Sequence, residues 1–437
     1  MSKKESLNRI DTIVLWASVI VFCIVSLVIY YYTPALKAHF EGDSVRYHFI
    51  AHNICGLTNI PLEVLGYPCF LGLLYWLYDS LLIVVLAQII LSVLSLFVLR
   101  HIIKQLGMDA AALIIASCFW VFNLGFLIYT QLLLIEIMLA FLLLLFVDRV
   151  IVYYKTARLW YCAQAAFVLG ISILFRPAAL FYALFFVVLL FFMTNVSLLK
   201  RAKAAGVFWV VFYIPIICYM TLNYYYFGQF VICPVMNVNL FAFYYPKIHA
   251  YFQAHGLVSN DTMRAIEYDI AQKQITAVTQ HNLLKLFVQH PVITLGIWFQ
   301  NMVKSCLGLY QTQWKLYFEL ADKATSYFCL PGSWLSCLGE YIRTGTTRSW
   351  LCVLGWYELA YLLVEYLMMA TGVLVLLLRR NYWLCCFAVS FIVYFAFITG
   401  PDGSGRFRMM MEPWLLVLAI IGFAWLISPQ TKKNVLI

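Results

Sequence analysis

Long apolar runs alternate with short polar connections along most of this chain. Ten runs stand out, at about residues 12–32, 81–99, 109–128, 132–148, 159–175, 178–195, 207–227, 351–378, 382–399 and 413–428. Crossing a bilayer core takes about 20 apolar residues as a helix. Backbone groups in lipid must be satisfied within their own segment, so each run predicts a helix rather than a strand. The pattern predicts an all-α polytopic membrane protein with about 10–11 transmembrane helices. It forms a single integral membrane domain over 1–437, with no separate soluble domain. The first run, Thr12 to Tyr32, is too long for the core of a signal peptide and lacks a small-residue cleavage site, so it reads as a retained anchor.

Charge placement orients the runs. With the N-terminus inside, the inner connections hold Lys3, Lys4, Arg9, Arg100, Lys104, Arg149, Lys155, Arg158, Lys200, Arg201, Lys203, Arg379, Arg380, Lys432 and Lys433, against only Glu5, Asp11, Asp109 and Asp148. Short loops rich in Lys and Arg stay cytoplasmic. The segment 292–312, VITLGIWFQNMVKSCLGLYQT, is long enough to span but carries Gln300, Asn301 and Lys304. Were it to span, Arg379 and Arg380 would face outward against that rule. It therefore reads as an amphipathic helix at the outer interface. This topology puts both termini inside and two large segments outside, residues 33–80 and 228–350.

Composition agrees with this reading. The chain is 65% hydrophobic and 11% charged, with a mean hydropathy of +0.89, whereas soluble domains are about 25% charged. The net charge of +10 follows from the inner loops and calls for no nucleic-acid partner. Most of the 13 cysteines lie inside apolar runs as small buried hydrophobes. Cys329 and Cys337 share a polar loop, where spacing allows a disulfide in an oxidising compartment without requiring one.

The unusual polar residues fall on the outer side. Asp43 and Arg46 lie in the first outer loop, within EGDSVRYHFIAHNI. Glu136 is about one turn into the fourth run, Arg176-Pro177 joins the fifth and sixth, and Asn223 ends the seventh. Lys247 lies in the second large outer segment. Asp402, Arg406, Arg408 and Glu412 precede the last run. Ionisable groups at a membrane are costly, which makes a functional role the default hypothesis. Structural roles stay open for each. Arg176 can snorkel at a helix end, or pair with Glu136. Arg406 and Arg408 can hold lipid headgroups, and Asp43 can cap the helix that follows it. His48 and His52, spaced i, i+4, share a helix face and permit a divalent metal if Asp43 or Glu41 adds a carboxylate. Such pairs are more often ordinary interfacial residues.

Transfer at a membrane surface fits these groups. A loop carboxylate can take a proton from an acceptor hydroxyl. Arginines can hold a phosphate and stabilise its charge as it leaves. No P-loop, dinucleotide fingerprint or Gly-x-Ser-x-Gly elbow is present.

Seven stretches, in order, resemble the GT-C superfamily of polyprenyl-phosphate-sugar-dependent glycosyltransferases. The closest branch is the bacterial one related to lipid A aminoarabinose transferase and protein O-mannosyltransferases. The stretches are EGDSVRYHFIAHNICG, GYPCFLGLLYWLYDS, the run containing Gln88, LLLIEIMLAFLLL, GISILFRPAALFYAL, NYYYFGQF with NVNLFAFYYP, and GRFRMMMEPWLLVLAIIGF. Each alone is weak; their order carries the resemblance. It implies a GT-C type helical bundle with amphipathic helices in the outer loops, in a bacterial inner membrane with its active face periplasmic. The donor would be a sugar on undecaprenyl phosphate. The acceptor would be a hydroxyl on a cell-envelope glycolipid or glycan such as lipid A or lipopolysaccharide core. It further implies inversion with Asp43 as general base, and a donor site drawn from Arg176, Arg406, Arg408, Glu136 and Tyr47. The protein mannosyltransferases carry adjacent Asp-Glu in the first loop; Asp43-Ser44 departs from that and makes a protein acceptor less favoured.

Three other readings compete. A lipid-linked-sugar flippase or transporter would place polar groups at the bilayer midplane on repeated, broken helices. A lipid-linked oligosaccharide ligase or polymerase would lean on outer-loop histidines such as His249, His255, His281 and His290. A non-catalytic assembly factor would depend on no single acid.

Overall fold

The computed structural model describes residues 3–32, 43–53, 64–193, 196–232, 247–248, 251, 255, 287–319, 334–343, 348–400 and 403–427. Among them the regular structure is entirely helical. The helices are α1 (Lys3–Tyr32), α2 (Asp43–His52), α3 (Gly66–Leu77), α4 (Leu81–Gln105), α5 (Ala110–Val121), α6 (Leu124–Tyr129), α7 (Glu136–Thr156), α8 (Leu159–Ile173), α9 (Tyr182–Phe191), α10 (Leu198–Phe227), α11 (Pro291–Leu307), α12 (Gln311–Glu319), α13 (Trp334–Arg343), α14 (Ser349–Leu378), α15 (Tyr382–Ile398) and α16 (Glu412–Ile427). Short 3-10 turns at Pro177–Ala179 and Gly405–Met410 precede α9 and α16.

Five helices, α1, α4, α7, α10 and α14, are long and apolar enough to cross a membrane, and α11 with α12 makes a sixth if that bent pair is one span. This is a multi-pass architecture, with fewer full-length spans than the sequence pattern predicts. The other expected spans are helical but shorter. The run 109–128 breaks at Asn123, whose side chain accepts from Gly125 N at 2.9 Å and starts α6. The run 132–148 begins as helix only at Glu136, and residues 130–135 are irregular and buried. Their freed carbonyls find a donor, since Gln88 Nε2 donates to Thr130 O at 3.1 Å and Leu132 O at 3.0 Å. Non-helical backbone survives at such depth only where protein supplies those bonds.

α16 is buried almost throughout, as a helix apolar on every side must be, and it packs along α14. The approach is close because two glycines face backbone: a Cβ on Gly372 would stand 2.1 Å from Leu418 O, and one on Gly422 2.0 Å from Met368 O. α1, by contrast, exposes Ile13, Trp16, Ile20 and Ile24, the outward apolar face that lipid demands.

α11 falls on the segment expected to lie at the outer interface. Its buried side carries Thr294, Asn301 and Ser305, while Val292, Leu295 and Phe299 are exposed. Of the three polar residues expected on this helix, Asn301 is buried against protein, Lys304 is half-buried and Gln300 is exposed. The chain then bends by 69° into α12, near Gly308, which lies against Gly405: a Cβ on Gly308 would meet the Gly405 Cα at 2.5 Å. That backbone contact fixes the Gly405–Met410 turn.

The two ends of α7 gather different groups. At its Glu136 end lie Asp43, Arg176 and Arg406. At the other end, Lys155 donates to Gln105 O at 2.6 Å and Asp148 accepts from Arg149 and His101. Nearby on α4, buried Arg100 pairs with Asp11 of α1 at 2.8 Å.

Candidate active site

Four segments far apart in the chain meet at the Glu136 end of the bundle. Asp43 opens α2, and its carboxylate accepts from Arg46 Nη2 at 2.8 Å and from Arg406 Nη1 at 2.8 Å. Arg406 also donates through Nε to Glu136 Oε1, so one guanidinium bridges both acids. Arg176 Nη1 lies 3.5 Å from the same Glu136 oxygen. Its guanidinium stands 4.1 Å from the centre of the Phe407 ring, a face-on cation contact.

Each side chain is placed for a local reason. Glu136 is the first residue of α7, where the helix dipole favours an acid. Arg176 precedes Pro177, and a residue before proline is held extended; its ψ is 118°. Gly66 docks on that bend, with Gly66 N donating to Leu174 O at 2.8 Å. A Cβ there would come within 2.2 Å of the same oxygen, so the Gly-Tyr-Pro stretch owes its glycine to the turn that presents Arg176. Tyr47 is buried beside Asp43 on α2, edge-on to Tyr67 at 5.3 Å. The Tyr67 hydroxyl donates to Gln88 Oε1 at 3.0 Å. Gln88 thus ties the Tyr47 wall to the irregular segment that leads into Glu136. The resemblance marked Gln88, but only the fold shows what it holds.

The site carries three guanidinium groups, Arg46, Arg176 and Arg406, against two carboxylates, Asp43 and Glu136. Partial burial pushes the Asp43 carboxyl up, but Arg406, Arg46 and Arg176 outweigh it and hold it below the usual carboxylate range. Burial, then the neighbouring Arg406, presses the Arg176 guanidinium down. Two buried atoms lack a partner among the described residues: Arg406 Nη2, a donor, and Glu136 Oε2, an acceptor. A donor and an acceptor without partners, on two residues that are themselves paired, suit a ligand carrying both phosphate and hydroxyl groups.

Other expected site residues lie elsewhere. Arg408 is fully buried on the far side of its turn, donating to Gly308 O at 2.6 Å and paired with Glu358 at 3.2 Å. Asn223 donates to Val231 O at 2.7 Å and Ile232 O at 3.1 Å, closing the chain after α10 around Gly228 at φ +68°. His48 and His52 face α3, away from the arginines. His48 Nδ1 meets the Tyr75 hydroxyl at 3.0 Å and His52 Nε2 meets Asp79 at 3.0 Å. They clip α2 to α3, and no group of three metal-ligating side chains forms among the described residues. His255 stacks on Tyr251 at 4.2 Å, and His290 precedes α11. Lys247 is partly buried, between stretches outside the described residues. Glu41, Asp402, His249, His281 and the Cys329–Cys337 pairing also lie outside them.

No protein-family model matches this chain, and no curated protein matches it.

Proposed function

We propose that this chain is an integral membrane glycosyltransferase of the GT-C type. It would move a sugar from a polyprenyl phosphate, undecaprenyl phosphate in a bacterial inner membrane, to a hydroxyl of a cell-envelope glycolipid or glycan. In this reading about ten helices cross the membrane, both termini are cytoplasmic, and the Glu136 end of α7 faces the periplasm. The observation that carries it is the meeting of Asp43, Glu136, Arg176 and Arg406, with a donor on Arg406 and an acceptor on Glu136 that have no partner among the described residues.

The chemistry follows from those groups. The acceptor oxygen forms its bond to the anomeric carbon from the face opposite the phosphate, and the carbon–oxygen bond to phosphate breaks, which inverts the centre. The hydroxyl proton passes to Asp43, and the electron pair leaves with the phosphate oxygen. Arg406 and Arg176 stabilise that charge as it develops, while Glu136 Oε2 accepts from a sugar hydroxyl. Asp43 is ionised at neutral pH, as a base must be, but Arg406 holds it weak. A phosphate that draws Arg406 Nη1 away would strengthen the base on donor arrival.

The test is Asp43→Asn in the full chain, assayed for sugar release from a polyprenyl-phosphate carrier. Loss of transfer with the protein still inserted and folded is expected; full activity would remove Asp43 as the base. Mass spectrometry of envelope glycolipids from cells with and without the gene would identify sugar and acceptor together.

A further inference from the structure

The two arginines that share Glu136 Oε1 are held in different ways. Arg406 is committed to acids, donating through Nε to Glu136 and through Nη1 to Asp43 at 2.8 Å. Arg176 is not. Its one side-chain hydrogen bond among the described residues runs from Nη1 to that same Glu136 oxygen at 3.5 Å, the long end of the range for such a bond. Its other contact is the Phe407 ring, with the guanidinium carbon over the ring face, 4.1 Å from its centre.

The local structure brings Phe407 to that place. Arg406, Phe407 and Arg408 are consecutive on the Gly405–Met410 turn, where each residue advances about 120°. They meet three different walls. Arg406 meets the acids of the recess, Phe407 meets Arg176, and Arg408 meets Glu358 at 3.2 Å and Glu412 at 3.4 Å. Ser404 fixes the start of the turn. Its carbonyl accepts from Phe407 N at 3.1 Å, and its hydroxyl accepts from Arg406 N at 3.4 Å. Phe407 is 5% exposed, so its ring is a packed wall. Arg176 reaches it from the extended residue before Pro177, and its side chain is 17% exposed.

A ring and a carboxylate hold a cation with different consequences. A second carboxylate beside Arg176 would cancel its charge and take up its N–H donors. A ring face attracts the cation through its quadrupole and leaves the net charge intact. Glu136, already bonded to Arg406, balances Arg176 only in part. An arginine held this way meets an anion with charge still to be balanced, and its planar fork matches a phosphate.

We propose that Phe407 is a positioning residue for donor binding: its ring face holds the Arg176 guanidinium in the recess without neutralising it, keeping it available to the donor's phosphate. This rests on reading the recess as the donor site. Phe407 touches no reacting atom in that scheme and acts through Arg176.

The test replaces Phe407 with mono-, di- and trifluorinated phenylalanine in the full chain, in lipid nanodiscs. Fluorine withdraws charge from the ring face and changes its size little. Binding of undecaprenyl phosphate alone is measured for each chain, beside sugar transfer. The dissociation constant is expected to rise stepwise with fluorination, about three- to tenfold across the series. Arg176→Gln should weaken binding more than any of these rings, and fluorination on top of it should add nothing. A flat series, a stepwise series that persists in Arg176→Gln, or a wild type that does not bind undecaprenyl phosphate would overturn the inference. A stepwise series in a chain that moves no sugar would uphold it and overturn the glycosyl-transfer reading instead.

Discussion

Arg406 and Arg408 stand two residues apart on one 3-10 turn and serve two different environments. Arg406 bridges Asp43 and Glu136, with a donor that has no partner among the described residues and an acid one-third exposed. Arg408 is fully enclosed by acids, a tyrosine ring 3.9 Å away and the Gly308 carbonyl. Both clusters keep polar atoms without a partner among the described residues, but the first reaches the surface through Asp43 and the second is enclosed by protein. Charge density alone does not mark a site. What separates the two is access.

The largest expected effect breaks the enclosed cluster. Arg408→Ala leaves Glu358 and Glu412 buried without their cation, at a cost of about 3–5 kcal/mol. Thermal unfolding in detergent should show a large loss or no monodisperse protein. Arg406→Ala should cost less, because Arg176 remains beside Glu136 and Asp43 is partly solvated, yet it should remove transfer. If the two variants are equally unstable, the contrast between the clusters fails.

Next comes Asp43→Asn, expected to lower transfer by about 10²–10⁴-fold, the usual worth of a positioned base. Its stability should change by less than about 1 kcal/mol, since a part-exposed ion pair contributes little. Arg176→Lys should follow, keeping a charge but losing the planar stack on Phe407 and the forked donors. It is expected to lower kcat/KM for the donor about tenfold, with kcat falling as well as KM rising, read by steady-state kinetics.

A smaller effect is linked to pH. The folded Asp43 carboxyl titrates below its unfolded value, near about 3.9, so its contribution is fully present above that value. It disappears as pH falls through the lower folded pKa. The melting difference between wild type and Asp43→Asn should therefore be constant near neutrality and shrink only in acid. Last is His52→Ala. Its partner Asp79 has a side chain 72% exposed, so the change should stay under about 1 kcal/mol, measured by the same melt.

Several parts of this arrangement were legible in the chain. The apolar runs announce nearly every helix of the bundle, because burial in lipid leaves a backbone no other choice. Asp43, Glu136, Arg176 and Arg406 stand out as rare charges beside those runs, and they do converge. The Arg176–Glu136 pairing was foreseeable as an ion pair. Less legible was the break at Asn123, where a cap side chain inside an apolar run outweighs helix continuation. The role of Gln88 was hidden too, since its partners, Tyr67 and the 130–132 carbonyls, are not its neighbours in sequence. The alternating faces of α11 show the amphipathic period in the sequence, but not which side meets protein.

By itself the sequence determined that this is an apolar helical bundle and which few charges border it, because hydropathy and helical period act locally. Only the tertiary structure decided which arginine serves which acid. Arg406 and Asp43 lie 363 residues apart, and a 3-10 turn rotates about 120° per residue, so neighbours on it point to different walls. The Gly308–Gly405 contact sets the angle at which those walls are met. That contact joins distant backbones, and local pattern carries no record of it.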